Sequence, residues 1–284
     1  GIVKLKTAIN NKNMNMKILY GILLICTVLT GCGNVSQQDP VPAHDSFTMP
    51  SKQVGETRTI NVWTPATYKT DTISLPVMYM ADGGLKEDFP HIANTIAALV
   101  AAKAIPPVIL VGIENTQRAR DLTGPTEVAK DKEIAPVVGG SEKFRAFIND
   151  ELFPEIDKRY RTSGKKGILG ESASGLFVVE TFFLKPEMFD YYIAFDPSLW
   201  WNNHALVRTS KEHLAKFPPT AKRFWFAGSD AADIAPYTKE LSDILKRENP
   251  AGIKWNYADE PTETHKTIFR ATKEKAIKWT LGSN

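Results

Sequence analysis

Along this chain, short and continuous apolar runs alternate with longer stretches whose apolar residues recur at helical spacing. The runs are Leu75-Pro76-Val77-Met78-Tyr79-Met80-Ala81, Pro107-Val108-Ile109-Leu110-Val111-Gly112-Ile113, Tyr191-Tyr192-Ile193-Ala194-Phe195 and Phe224-Trp225-Phe226-Ala227-Gly228, and the segment 253–257 is read as the last strand. Unbroken apolarity over so few residues predicts strands buried on both faces, as in a parallel sheet. Between them the spacing predicts helices over 89–104, 141–157 (kinked at Pro154), 173–184 and 236–248, one carrying His204 and His213, and a last one after residue 265. Residues 53–63 alternate instead and predict an early antiparallel strand. No internal repeat interrupts this order. Strand and helix in turn predict an α/β fold with a doubly wound, mostly parallel sheet flanked by helices. In such sheets ligands bind beyond the carboxyl ends of the strands.

One strand-to-helix junction carries distinctive chemistry. Lys165-Lys166-Gly167-Ile168-Leu169-Gly170-Glu171-Ser172-Ala173-Ser174-Gly175 runs from a buried strand through a tight turn into the apolar helix 173–184. A serine at the tip of such a turn is lifted above the sheet edge, and small flanking residues let the backbone pack closely around it. A serine hydroxyl is a weak nucleophile until a base takes its proton. Imidazole titrates near neutrality, and a carboxylate can fix its tautomer. Of the five histidines, His44 falls in a polar tether and His91 opens a helix, while His204 and His213 follow the wrong strand. His265, delivered by a polar loop after the last strand, is the candidate base. The candidate acid lies after the strand ending at Gly228: Asp230, which follows most closely, ranks before Asp233. Asp82-Gly83-Gly84 ends another buried strand, so the amides of Gly83 or Gly84 and of Ala173 are candidate oxyanion donors. The long polar loop 114–140 is expected to shape a substrate site. Arg118 and Arg120 within it are candidate substrate contacts, although pairing of Arg120 with Asp121 is an equally good reading. Trp200 and Trp201, in a loop crossing a strand end, either line a pocket or pack the domain.

Composition narrows the setting. With 43% hydrophobic and 24% charged residues among 284, the chain is ordinary globular material. The formal charge of +3 misleads, because Lys4, Lys6, Lys12 and Lys17 all precede Cys32 and no acidic residue does. Taking those four from the 35 basic residues leaves 31 against 32 acidic ones. Nothing there suggests a nucleic-acid partner. Met16-Lys17 and the apolar run 18–29 have the shape of a secretory signal, too short to span a bilayer comfortably. The run ends in Leu29-Thr30-Gly31-Cys32, which resembles a bacterial lipoprotein box with Cys32 as the lipidated residue. Residues 1–31 are therefore read as a leader, with 1–13 an extension ahead of the candidate starts Met14 and Met16. Residues 32–50 are read as a polar tether and 51–284 as the domain, held at a periplasmic membrane surface. The body then has no cysteine for a disulfide or a thiolate metal site, and neither metal nor cofactor is expected.

Serine, acid and histidine occur in the chain order found in α/β-hydrolases. The chain also resembles the esterase D-like family of that fold, especially its bacterial branch of catecholate-siderophore esterases. The resemblance rests on 77–83, on Val111-Gly112-Ile113-Glu114-Asn115 with Arg118-Ala119-Arg120-Asp121-Leu122-Thr123, on Gly170-Glu171-Ser172, on 189–201 with Asp196-Pro197-Ser198-Leu199-Trp200-Trp201, and on Glu263-Thr264-His265. It implies hydrolysis of a small-molecule carboxylic ester, with Ser172 as nucleophile and His265 as base. The chain departs from the family where histidine commonly stands at Glu171, an aromatic at Ala173, glycine at Ser174 and a small residue at Asp196. Those departures change the charge beside the serine, so the resemblance does not carry siderophore specificity with it. An acyltransferase with the same residues, or a lipid-anchored binding protein on a hydrolase fold, are the alternatives.

Overall fold

The computed structural model describes residues 38–283. The leader and the lipoprotein box lie outside them. From Pro40 onward the chain forms one unit built on an eight-stranded sheet of order β1-β2-β4-β3-β5-β6-β7-β8. β1 (Asp45–Ser51) and β2 (Glu56–Trp63) are antiparallel to their neighbours. β3 (Leu75–Met80), β4 (Ile109–Ile113), β5 (Thr162–Glu171), β6 (Tyr191–Phe195), β7 (Lys222–Gly228) and β8 (Ile253–Asp259) are parallel. This is the expected doubly wound sheet, and the winding reverses between β3 and β5, which opens a crevice at the carboxyl end of β5.

Period-two alternation splits the strand residues between two cores. Met78, Met80, Leu110, Leu169, Ile193 and Trp225 face α1 (Phe89–Ala101) and α8 (Ile268–Leu281). Val77, Tyr79, Val111, Ile168, Tyr192 and Phe224 face α5 (Ala173–Leu184), α7 (Ala235–Glu248) and the segment 144–156. Both faces being covered explains why the central strands read as unbroken apolar runs.

Three expectations change. The tether ends sooner than Pro50: residues 45–51 form β1, whose Phe47 and Met49 pack on the core. The loop after β4 contains a short helix, α2 (Arg118–Leu122), and a further single turn at Ala129–Glu133. The helix predicted over 141–157 is α3 (Ser141–Ala146) and α4 (Phe153–Arg159), joined by a wide π turn at Phe147–Leu152. Pro154 lacks the N–H that would bond one turn back, and its ring crowds that carbonyl; the wide turn absorbs the fault instead of a sharp kink. α6 (Trp201–Ala215) opens on three left-handed residues, Asn202, Asn203 and His204. Among the described residues, no helix is long and apolar enough to cross a membrane.

Candidate active site

Ser172 sits between β5 and α5 with φ 60° and ψ −119°, a strained conformation for a residue with a side chain. The surrounding backbone holds it there. The Ser172 N–H donates to the Phe195 carbonyl at 3.0 Å, and the Ser198 N–H donates to the Ser172 carbonyl at 3.1 Å. The turn closes only because Gly170 has no side chain: a Cβ there would stand 2.7 Å from the backbone of Ser174.

His265 reaches the serine from the loop between β8 and α8. Its Nε2 lies 3.0 Å from Ser172 Oγ. On the other side of the ring, Nδ1 lies 2.6 Å from an oxygen of Asp196, at the end of β6. The acid beside His265 is therefore Asp196, neither Asp230 nor Asp233. Both of those are exposed just beyond β7, and the Asp230 backbone N–H is taken by the Glu263 carbonyl. β7 contributes Ser229 instead, whose N–H and Oγ each donate to Asp196 at 2.7 Å. Asp196 is completely buried, and these donors with His265 satisfy its carboxylate. The hydrogen bond to Asp196 raises the His265 pKa above its ordinary value, against the opposing pull of burial. With Nδ1–H given to Asp196, a neutral ring presents Nε2 as an acceptor towards Ser172 Oγ.

The other candidates divide. The Ala173 N–H is the first of α5 and has no partner within the helix. The expected Gly83 and Gly84 donors are already engaged: Gly83 N–H donates to the Ile113 carbonyl at 2.9 Å, and Gly84 N–H to Glu87 Oε1 at 2.7 Å. Gly83 is glycine because a Cβ would collide with the backbone of Gly112 and Ile113. Close approach to β4 explains it. Arg118 lies beside the serine turn, bound to Asp82 through Nε at 2.6 Å and Nη2 at 2.9 Å and reaching the Glu171 carbonyl at 3.4 Å. Arg120 is structural: it binds Asp121 and Glu56, and Asp121 in turn binds the buried Arg58. Trp201 is also structural, buried with its Nε1–H donating to the Gly124 carbonyl at 2.9 Å. Trp200 is partly exposed against it.

One further site residue was not singled out from sequence as a functional group. Glu171 Oε1 lies 3.5 Å from His265 Nε2. Burial pushes its carboxyl up to about 7, against the attraction of His265.

A nucleophile turn, an imidazole and a buried carboxylate at the carboxyl edge of this sheet are the arrangement of an α/β-hydrolase. Comparison with known proteins agrees. The family model described as "Putative esterase" matches residues 51–245. Ferri-bacillibactin esterase BesA of Bacillus subtilis is 30% identical over 88% of this chain and 93% of its own. Apo-salmochelin esterase of Escherichia coli is 24% identical over 88% and 83%. The structure of an IroE-like serine hydrolase from Shewanella oneidensis superposes with a TM-score of 0.77 at 26% identity, covering 84% of this chain and 79% of that one. The chain belongs to this esterase family, in its siderophore-esterase-like branch.

Proposed function

We propose that the chain hydrolyses a small or siderophore-like carboxylic ester through an acyl-enzyme on Ser172. His265 Nε2 takes the hydroxyl proton as Ser172 Oγ attacks the ester carbonyl. The same nitrogen returns the proton to the departing alkoxide, and water activated by His265 then releases the acid and restores Ser172. Asp196 holds the ring tautomer and stabilises the imidazolium formed in each half-reaction. The Ala173 N–H serves the developing oxyanion, a role typically worth about 3–4 kcal/mol. The observation carrying this reading is the continuous relay Asp196–His265–Ser172, with contacts of 2.6 and 3.0 Å.

The test is reaction with a fluorophosphonate probe alongside turnover of short-chain aryl esters. Both are expected in the wild type and absent in Ser172→Ala. A folded wild type that neither labels nor turns over ester overturns the reading and favours a binding protein. Product analysis with added alcohols separates hydrolysis from acyl transfer.

The same proposal places the enzyme at a periplasmic membrane surface through lipid on Cys32, a reading supported by Leu29-Thr30-Gly31-Cys32. Metabolic labelling with a palmitate analogue is expected for the full chain and lost in Cys32→Ala. An unlabelled wild type would remove the anchor from the proposal.

A further inference from the structure

Glu171 is a carboxylate placed beside the nucleophile, and among the described residues no donor lies within hydrogen-bond distance of it. Its side chain is only 18% exposed. Among the described residues its one close polar neighbour is His265 Nε2 at 3.5 Å, beyond hydrogen-bond distance. The nearest guanidinium, Arg118, attracts it without donating to it, because two of its nitrogens are committed to Asp82. The other charges acting on it include Asp88 and Asp82, which are of its own sign. A half-buried carboxylate without donors is costly, and a site built this way offers a ready place for a cation with N–H groups.

The position also says which part of a substrate would meet it. His265 Nε2 is the atom that hands a proton to the departing oxygen, so a carboxylate 3.5 Å from that nitrogen flanks the alcohol half of the ester. Resting on the serine-esterase reading above, we propose that Glu171 is a specificity-determining residue that selects esters whose alcohol portion carries a protonated amine close to the ester oxygen. It correspondingly disfavours esters whose alcohol portion is anionic. The ammonium would donate to the Glu171 carboxylate and hold it ionised while the leaving oxygen approaches His265. The resulting charged hydrogen bond belongs to the stronger class of such interactions.

Three benzoate esters test this at about neutral pH. The 2-(dimethylamino)ethyl ester is protonated and has no route for acyl migration to nitrogen. The 3-methylbutyl ester is its uncharged isostere, and the carboxymethyl ester supplies an anion. Release of benzoic acid gives kcat/KM for each. The wild type is expected to favour the cationic ester over its isostere by about tenfold or more, corresponding to at least ~1.4 kcal/mol, and to rank the anionic ester last. The preference should shrink as salt is raised to about 1 M, through screening. In Glu171→Gln the cation-to-isostere ratio is expected to fall towards one. The ratio is the readout, so any general loss of rate in the variant cancels. A wild-type ratio at or below one overturns the proposal while turnover of the neutral ester leaves the esterase reading standing. An unchanged ratio in Glu171→Gln removes the role from Glu171. Failure of all three esters together with failure of Ser172 to label overturns the underlying reading itself.

Discussion

Asp196 and Ser229 determine how the His265 ring is set. The carboxylate reaches Nδ1 only because β6 and β7 lie side by side and Ser229, at the end of β7, donates to it twice. Asp196→Asn replaces an acceptor with a group that can favour the opposite tautomer. It is expected to lower kcat by about 10³–10⁴, while Asp230→Asn and Asp233→Asn stay within about twofold, as exposed substitutions do. Steady-state kinetics on an aryl ester with the three variants decides between the acids. The pH profile gives a second check. The proposed base must be neutral to act, and Asp196 raises the pKa of the His265 ring, so activity is expected to fall on acidification through a value above that of an ordinary histidine. Asp196→Asn removes that support, and the acid limb is expected to move to lower pH. Ser172 and His265 were legible because each is marked by chain context, a turn of small residues for one and a loop after the last strand for the other. Asp196 was not, because several aspartates satisfy the same chain order and only strand adjacency chooses among them. Its signal was present as a carboxylate directly after an apolar strand. Gly83 and Gly84 misled for a related reason: glycine records a close approach without saying whether the approaching group is a substrate or the protein's own β4, as at Gly83, or Glu87, as at Gly84.

At the scale of elements, the β5–α5 turn transmits packing to chemistry. Gly170 faces the first turn of α5, where an added Cβ would meet Ser174 Oγ, which can rotate away, and its backbone, which cannot. Gly170→Ala must displace α5 from the end of β5 and carry Ser172 with it. The expected result is a loss of about 1–3 kcal/mol in stability from overpacking and about 10² in kcat from a shift near 1 Å. Thermal melts and kinetics on the same preparation measure the two together; unchanged kcat would show that the turn tolerates the side chain. The central strands and apolar helices were readable from sequence because burial on both sheet faces imposes composition directly. The π turn before Pro154 and the left-handed opening of α6 were not, since each depends on how neighbouring segments accommodate the strain.

At the scale of the whole molecule, the antiparallel edge governs where the catalytic domain begins. Residues 45–50 looked like tether because β1 is largely exposed, so its polar and proline-rich lead-in dominates the pattern. Yet β1 pairs along its whole length with β2, and it and the residue after it are fastened to α4 and the residues flanking that helix. Tyr160 Oη donates to Asp45 at 2.9 Å, the Lys52 N–H donates to Glu151 at 2.8 Å, and the Arg159 guanidinium lies 4.0 Å above the Phe47 ring. Two truncations separate tether from fold. A chain starting at residue 38 retains every one of these contacts and is expected to melt cooperatively with full ester turnover. A chain starting at residue 52 loses β1, leaves β2 as a bare edge and uncovers the apolar surface beneath Phe47 and Met49. Unpaired edges recruit other chains. This shorter form is expected to melt at least about 10 °C lower and to aggregate in size-exclusion chromatography, although the relay at Ser172 lies on the opposite side of β3 and β4 from the lost strand. Equal melting of the two truncations would mean that β1 decorates the domain without supporting it.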